Sequence, residues 1–157
     1  DVIAGLQTDV DAVWIYYAWD GIATEVKGVE TDYFSFRDLN PAFDYYTPIL
    51  VANNSFLSEK PETAKKFLKA VEQGYEYAIS HPEEAADILL EAAPELDRDI
   101  TVASQKWIAS QYKAEAEQWG IIDPSRWNAF YSWLNENELV ERAIPENFGF
   151  TNDYLAG

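Results

Sequence analysis

The stretch Asp11-Ala12-Val13-Trp14-Ile15-Tyr16-Tyr17-Ala18-Trp19-Asp20-Gly21 joins an apolar run to a group of aromatic residues and a carboxylate. This pattern predicts a strand over residues 10–17 that ends at a strand-to-helix turn. In open α/β sheets, ligands bind beyond the carboxyl ends of the strands, where side chains of the connecting turns converge. Core packing is the alternative for these aromatics, and we assign it to Trp14. Four residues are predicted to line a small-molecule cleft: Tyr16, Tyr17, Trp19 and Asp20.

Composition narrows the class of protein. The 157 residues, 48% of them hydrophobic, are enough to bury a core and predict one domain. A net charge of −17 argues against nucleic acid as a partner and disfavours anionic membranes, because the eleven Lys and Arg form no cationic stripe. No apolar stretch approaches the ~20 residues of a membrane span, so any anchor is expected outside this chain. The absence of cysteine removes disulfides, thiol nucleophiles and zinc–thiolate sites.

The first third of the chain has strand character. Residues 1–7 are predicted to end a helix, and a second helix is predicted over residues 20–27 with Asp20 as its N-cap. Further strands are predicted over residues 31–36 and 45–52, the latter confined by its proline to a sheet edge or a crossover. A strand with so few partners is marginal, so we expect the chain to be the C-terminal part of a larger, two-lobed protein.

The remainder is predicted to be helical. Helices are predicted from Ser58 to about Ser80, over residues 82–93, over residues 98–119, and from Asp123 onward. The first of them carries an apolar stripe at helical spacing: Ala64, Phe67, Leu68, Val71, Tyr75 and Ala78. Three tryptophans at helical spacing are assigned to the core: Trp119, Trp127 and Trp133. The tail at residues 147–152 is predicted to be a loop anchored by its apolar side chains.

Catalytic patterns are weak. The one histidine, His81, precedes Pro82 between two helices, which favours a capping or solvent-exposed role over a base or a metal ligand. The chain has no glycine-rich phosphate loop, no Gly-x-Ser-x-Gly elbow and no His-Glu-x-x-His, and its many acidic pairs are typical of solvated faces. The sequence therefore predicts a binding protein that uses no cofactor and no metal, and not an enzyme.

Short segments in a particular order support a family resemblance over nearly the whole chain. The segments are Asp11-Ala12 before the aromatic strand end, Tyr46-Thr47-Pro48, Glu62 to Gly74-Tyr75, His81-Pro82-Glu83-Glu84-Ala85-Ala86, Ser104-Gln105, Trp119-Gly120 and Phe150-Thr151-Asn152-Asp153-Tyr154-Leu155. Their order and spacing resemble the thiamine-pyrimidine-precursor binding proteins. Those proteins are substrate-binding components of ABC importers and are similar to the sulfonate-binding and pyrimidine-synthase-like group.

The resemblance implies an α/β, two-lobed fold of the periplasmic-binding-protein type (type II), of which this mostly helical chain would be the C-terminal portion. Residues 1–44 would end the second lobe, and residues 45–157 would form the hinge crossover and complete the first lobe. The implied partners are a small heterocyclic ligand, a membrane permease and the N-terminal half of the same protein. The implied location is extracytoplasmic, in the periplasm or as a lipoprotein on the outer face of the cell membrane.

The predicted site residues suit a flat, polar heterocycle. Tyr17 and Trp19 can sandwich a pyrimidine by offset stacking, and Asp20 or Glu25 can accept hydrogen bonds from its exocyclic amine. Polar contacts from the predicted hinge would come from Tyr46 and Thr47. Surface exposure is the alternative for Glu25, and crossover packing is the alternative for Tyr46.

Two other functions stay open. One is a pyrimidine-precursor synthase, which the same resemblance includes and whose catalytic residues would lie in the N-terminal half. The other is a helical module whose Trp and Tyr surface binds a protein or a sugar. Capture and delivery of a pyrimidine, without bond making, is the function that the sequence favours.

Overall fold

The computed structural model describes residues 2–155, so predictions for Asp1 and residues 156–157 lie outside the described residues. Within this range the helices are α1 (Val2–Leu6), α2 (Ile22–Val26), α3 (Phe36–Leu39), α4 (Asn54–Glu59), α5 (Pro61–Ser80), α6 (Pro82–Ala92), α7 (Arg98–Ala109) and α8 (Pro124–Glu136). A π-helical turn, Tyr17–Gly21, leads into α2, and a 3-10 turn, Pro41–Phe43, follows α3. Among residues 2–155, no helix is both long and apolar enough to cross a membrane.

Local capping sets where the longer helices begin. The Asp97 carboxylate accepts the N–H groups of Asp99 (3.0 Å) and Ile100 (3.3 Å) at the start of α7. Asp123 does the same for Ser125 (2.7 Å) and for the next residue at the start of α8. These bonds satisfy N–H groups that a helix leaves without an internal partner. The predicted helices beginning near residues 82, 98 and 124 are confirmed, whereas the helix predicted from Ser58 begins at Pro61 because Ser58 lies within α4.

The predicted strands are wrong for the described chain. Residues 2–155 form no strand: residues 10–16 and 45–52 carry no ladder, and the segment predicted over 31–36 runs into α3. A strand needs a neighbouring strand with which to exchange backbone hydrogen bonds, and a favourable pattern of side chains does not supply that neighbour. Trp14, predicted to be core, is 66% exposed. The α/β class is therefore not confirmed, whereas the predicted helical character of the later part is.

One helix is shorter than predicted, and another was not predicted. The helix predicted over 98–119 ends at Ala109, and hydrogen-bonded turns follow, among them Ala114 with a φ of 47°. A left-handed residue of this kind cannot continue an α-helix. Helix α4 was not predicted, although Asn53 caps it by accepting the N–H of Ser55 at 2.8 Å.

The chain divides into two compact units. The first comprises residues 1–32 and 72–119, and the second comprises residues 33–71 and 120–157. In the first unit α6 packs on α7. Its buried apolar residues are Ile22, Ala86, Ile100, Ala109 and Trp119. The predicted lobe boundary at residues 44 and 45 stays a prediction.

Aromatic pairs hold the second unit together. Phe43 packs on Trp133 with ring centroids 4.8 Å apart, and Tyr45 packs on Phe130 at 4.7 Å. The tryptophans predicted as one core cluster are divided, since Trp119 is buried in the first unit while Trp127 and Trp133 are half-buried in the second. On α5, Ala64 is buried as predicted, but Phe67 is 57% exposed, so the predicted stripe is wrong there.

Asparagine side chains attach the irregular C-terminal segment to the second unit. The Asn152 amide accepts the N–H of Ile122 (3.0 Å) and donates to its carbonyl (2.9 Å). Asn135 pairs with both backbone groups of Ile144 in the same way, at 2.8 and 2.9 Å. The tail is the predicted loop, and amide pairs supplement its apolar contacts.

Asn152→Ala is expected to lower the free energy of unfolding by about 2 kcal/mol, because it removes two hydrogen bonds and leaves the Ile122 backbone groups unpaired. Urea denaturation measures this change. Asn137→Ala removes one exposed bond, to the Trp133 carbonyl at 2.8 Å, and serves as the matched control. Equal losses of unfolding free energy in the two variants would contradict the role of Asn152 in attaching the C-terminal segment.

Candidate functional site

The turn at residues 16–21, called here the aromatic turn, is a π-helical turn that leads into α2. The N–H groups of Trp19 and Asp20 both donate to the Tyr16 carbonyl, at 3.0 and 2.9 Å. The Asp20 carboxylate accepts the Tyr16 N–H at 3.2 Å, and the N-cap position of α2 is occupied by Gly21. The prediction that Asp20 caps α2 is therefore wrong, because its carboxylate closes the turn instead. Such π-helical turns are rare and are frequent at functional sites.

The aromatic turn has an outer and an inner side. On the outer side Tyr16 is 68% exposed and Trp19 is 38% exposed, so their rings are accessible to a flat ligand. On the inner side the half-buried Tyr17 ring packs on Trp107, with centroids 5.1 Å apart and planes at 50°. The Tyr17 hydroxyl donates a hydrogen bond to Glu25. Two of the predicted ligand residues, Tyr17 and Glu25, are thus paired with each other.

Glu25 lies on α2 and is exposed. Its Oε1 accepts the Tyr17 hydroxyl, but an ionised carboxylate has about four lone-pair sites across its two oxygens. Glu25 can therefore accept a further hydrogen bond from a ligand amine while it holds Tyr17. Asp20 retains the same capacity beside its bond to the Tyr16 N–H.

Helix α7 contributes two contacts to the aromatic turn that sequence reasoning missed. The Ser104 hydroxyl donates to the carbonyl of Ala18, and Trp107, one helical turn later, packs on Tyr17. Residues three apart share a helix face, so the sequence shows that Ser104 and Trp107 point the same way. Nothing local to residues 98–109 shows that this face meets a turn more than eighty residues earlier in the chain.

An ion pair joins the C-terminal end of α2 to the N-terminal end of α7. Lys27 Nζ lies 2.6 Å from the Asp97 carboxylate. At the opposite ends of the two helices, residues 17–18 contact residues 104–107, so the helices run antiparallel. The hydrogen bond from Lys27 lowers the pKa of Asp97, and the bonds from the Ile100 and Asp99 N–H groups lower it further. The same bond raises the pKa of Lys27.

Asp97→Asn is expected to reduce the loss of stability on acidification. Because the folded-state pKa of Asp97 lies below its ordinary value of 3.8, its contribution is present above that pH and is lost as pH falls through the folded pKa. Asparagine keeps a capping oxygen but has no carboxylate to protonate. Urea midpoints measured from roughly pH 2 to pH 7 test this. Glu59→Gln, on the exposed end of α4, is the control. If it reduced the acid-induced loss of stability as much as Asp97→Asn does, the pH dependence could not be assigned to Asp97.

The predicted site residues Tyr46 and Thr47 belong to the second unit. The Tyr46 ring lies 4.3 Å from the Arg126 guanidinium and 6.4 Å from the Trp127 ring, and its hydroxyl accepts the Asp123 N–H at 2.9 Å. Tyr46 thus packs against the start of α8, and its contact with a ligand stays a prediction. Thr47 is exposed. The other predicted ligand residues lie in the first unit, within residues 16–25.

His81 stacks on Tyr77 with ring centroids 4.6 Å apart, and its Nδ1 lies 2.9 Å from the Ser80 hydroxyl. Its side chain makes no cap bond to α6, so the capping part of its predicted role is wrong. A hydrogen bond to Glu84 raises the pKa of Tyr77. Within residues 2–155, no group of three or more His, Asp or Glu side chains is arranged to hold a metal ion.

Comparison with known proteins identifies one matching family and several similar proteins. The NMT1/THI5-like family profile matches residues 1–85. The chain is 23% identical over 156 residues to the formylaminopyrimidine-binding protein of Halalkalibacterium halodurans, covering 96% of this chain and 46% of that protein. It is 28% identical over 116 residues to the 4-amino-5-hydroxymethyl-2-methylpyrimidine phosphate synthase of Candida albicans, covering 71% of this chain and 31% of that protein.

A third relative is the riboflavin-binding protein RibY of Chloroflexus aurantiacus, 22% identical over 162 residues. That match covers 98% of this chain and 45% of the relative. The chain therefore spans between about a third and about half of the length of these relatives. Proteins named for binding and proteins named for synthesis are both among them.

Proposed function

Because the chain belongs to the NMT1/THI5-like family, whose fold is of the periplasmic-binding-protein type, we propose that it captures a pyrimidine precursor of thiamine without transforming it. The observation that carries this proposal is the extent of the matches. The two relatives named as binding proteins align over 96% and 98% of the chain, whereas the Candida albicans synthase aligns over 71%. The longer alignments with the binding proteins support a binding role for this chain.

The chemistry of the aromatic turn supports a flat heterocyclic ligand. Tyr16 and Trp19 offer exposed rings, and offset stacking of a pyrimidine on such rings adds about 1 kcal/mol beyond the buried area. The carboxylates of Asp20 and Glu25 each keep acceptor capacity for an exocyclic amine. Formylaminopyrimidine presents both a ring face and amine donors.

In the complete protein, we propose, this turn forms one wall of an interlobe cleft. The chain spans 46% of the formylaminopyrimidine-binding protein, and sequence corresponding to the rest of that relative would form the opposite wall. A ligand that contacts both walls favours a closed state through interactions available only on closure. In this proposal the closed protein delivers its ligand to an ABC permease from outside the cytoplasm.

The second candidate function is the synthesis of a pyrimidine phosphate. It is supported by the match to the Candida albicans synthase, whose 28% identity exceeds the 23% of the formylaminopyrimidine-binding protein. Recovery of the bound compound distinguishes the two functions. A binding protein returns its ligand unchanged by mass spectrometry, whereas a protein that transforms its ligand returns a compound of different mass.

Trp19→Ala and Tyr16→Ala are each expected to weaken formylaminopyrimidine binding about tenfold, because one stacking face is lost. Calorimetric titration of the complete protein that carries this chain measures the Kd. Trp14→Ala is the matched control, since Trp14 is equally aromatic, is 66% exposed and lies outside the aromatic turn. If the wild type binds the ligand and none of these substitutions weakens binding, the ligand does not contact the aromatic turn. No binding by the wild type would contradict the proposed function itself.

A further inference from the structure

Helix α7 contacts the aromatic turn at two points. Ser104 donates its hydroxyl hydrogen to the Ala18 carbonyl, and Trp107 packs its ring on Tyr17. The two residues lie one helical turn apart on the same face of α7. Ser104 is half-buried and Trp107 is 36% exposed, so both contacts lie at the edge of the first unit.

These contacts determine how the turn is held. Tyr17 and Ala18 lie between Tyr16 and Trp19, so a fixed ring at Tyr17 and a fixed carbonyl at Ala18 set the direction of both outer side chains. The Tyr17 ring also lies close to Gly21, since a Cβ added at Gly21 would fall 2.5 Å from the ring. Tyr16 is 68% exposed and Trp19 is 38% exposed, so the direction of the backbone contributes to where their rings lie.

We propose that Ser104 and Trp107 are positioning residues that preorganise Tyr16 and Trp19 for stacking on the ligand. This inference rests on the proposed function. Ordering a side chain during binding costs affinity, and a turn already held in its binding geometry avoids that cost. The two α7 residues act through Ala18 and Tyr17, without touching the ligand themselves.

Ser104→Ala is the sharpest test, because it removes one hydroxyl and leaves a residue favourable to a helix. We expect formylaminopyrimidine binding to weaken about fivefold, the worth of one hydrogen bond. We also expect faster hydrogen exchange at the amides of Trp19 and Asp20, which bond to the Tyr16 carbonyl. Amides within α6 and α7 should exchange as in the wild type.

Ser110→Ala, at the C-cap of the same helix, is the matched control. The Ser110 hydroxyl donates to the Trp107 carbonyl at 3.0 Å, within the end of α7 itself, so binding and turn exchange should stay as in the wild type. Trp107→Phe retains an aromatic face and should lose less affinity than Trp107→Leu. This ordering is a consequence of ring packing on Tyr17.

The outcomes separate the two proposals. If the wild type does not bind formylaminopyrimidine, the proposed function fails, while exchange at Trp19 and Asp20 still tests the contact from α7. Unchanged affinity and unchanged turn exchange in Ser104→Ala would overturn the positioning role. Faster exchange spread evenly over the whole first unit would also overturn it, because Ser104 would then stabilise the unit in general and not the turn.

Discussion

Trp119→Ala is expected to lower the free energy of unfolding by about 4 kcal/mol, the largest effect of any single change considered. Trp119 is 8% exposed and stacks on Tyr75 with centroids 4.7 Å apart and planes at 25°. Tyr75 in turn meets Tyr112 edge to face at 4.7 Å. Alanine removes the indole from this group and leaves a cavity that α5 and the segment after α7 cannot readily close.

Urea denaturation followed by circular dichroism measures this loss. Ile88→Ala is the control in the same unit, because Ile88 is 59% exposed and its truncation should cost less than about 1 kcal/mol. Trp119→Phe should fall between the wild type and Trp119→Ala, since it keeps a ring against Tyr75. If Trp119→Ala were no worse than Ile88→Ala, the stack at Tyr75 would not be part of the stabilising core.

Gly21→Ala and Gly74→Ala are expected to have opposite effects, although the substitution is the same. An added Cβ at Gly21 would lie 2.5 Å from the Tyr17 ring, which Trp107 and the bond to Glu25 hold in place. We expect a loss of about 2 kcal/mol from this overpacking. A Cβ at Gly74, in the middle of α5, meets nothing within 4 Å, and we expect a gain of about 0.5–1 kcal/mol from the better helix former.

Thermal and urea unfolding of the two variants tests this contrast. The backbone of Gly21 is in the right-handed helical region, with φ −63° and ψ −45°, so the expected loss comes from the Tyr17 contact and not from backbone strain. In a Tyr17→Leu background, Gly21→Ala should cost less than it does in the wild type, because leucine leaves more room for the added Cβ. A neutral Gly21→Ala would show that the Tyr17 ring moves freely, which would also weaken the proposed role of Trp107.

The helices of the later part could be predicted because their determinants are local. Asp97 and Asp123 cap the helices that follow them within three residues, and Pro61, Pro82 and Pro124 begin helices at positions where a missing N–H costs nothing. The strands could not be predicted with the same success, because a strand is completed by a partner that lies elsewhere. Residues 10–16 form an apolar run typical of a buried strand, yet they form no strand in the described chain.

The candidate site was predictable in its residue types but not in its internal contacts. Aromatics next to Asp20 indicated a ligand site, and the exposure of Tyr16 and Trp19 is consistent with that prediction. The pairing of Tyr17 with Glu25 was not apparent, although the two lie only eight residues apart, because a π-helical turn stands between them. The packing of Tyr46 on Arg126 joins residues eighty positions apart and is likewise absent from any local pattern.

By itself, the sequence determined the starts of α6, α7 and α8, the acidic character and the family, since each depends on neighbouring residues, on composition or on the order of residues along the chain. Only the tertiary structure decided which of the aromatics at residues 16–19 face solvent and which one packs inward. That choice depends on α7, where Ser104 and Trp107 meet the turn from more than eighty residues away. Contacts of this kind form only when the intervening chain has folded, and no short-range pattern encodes them.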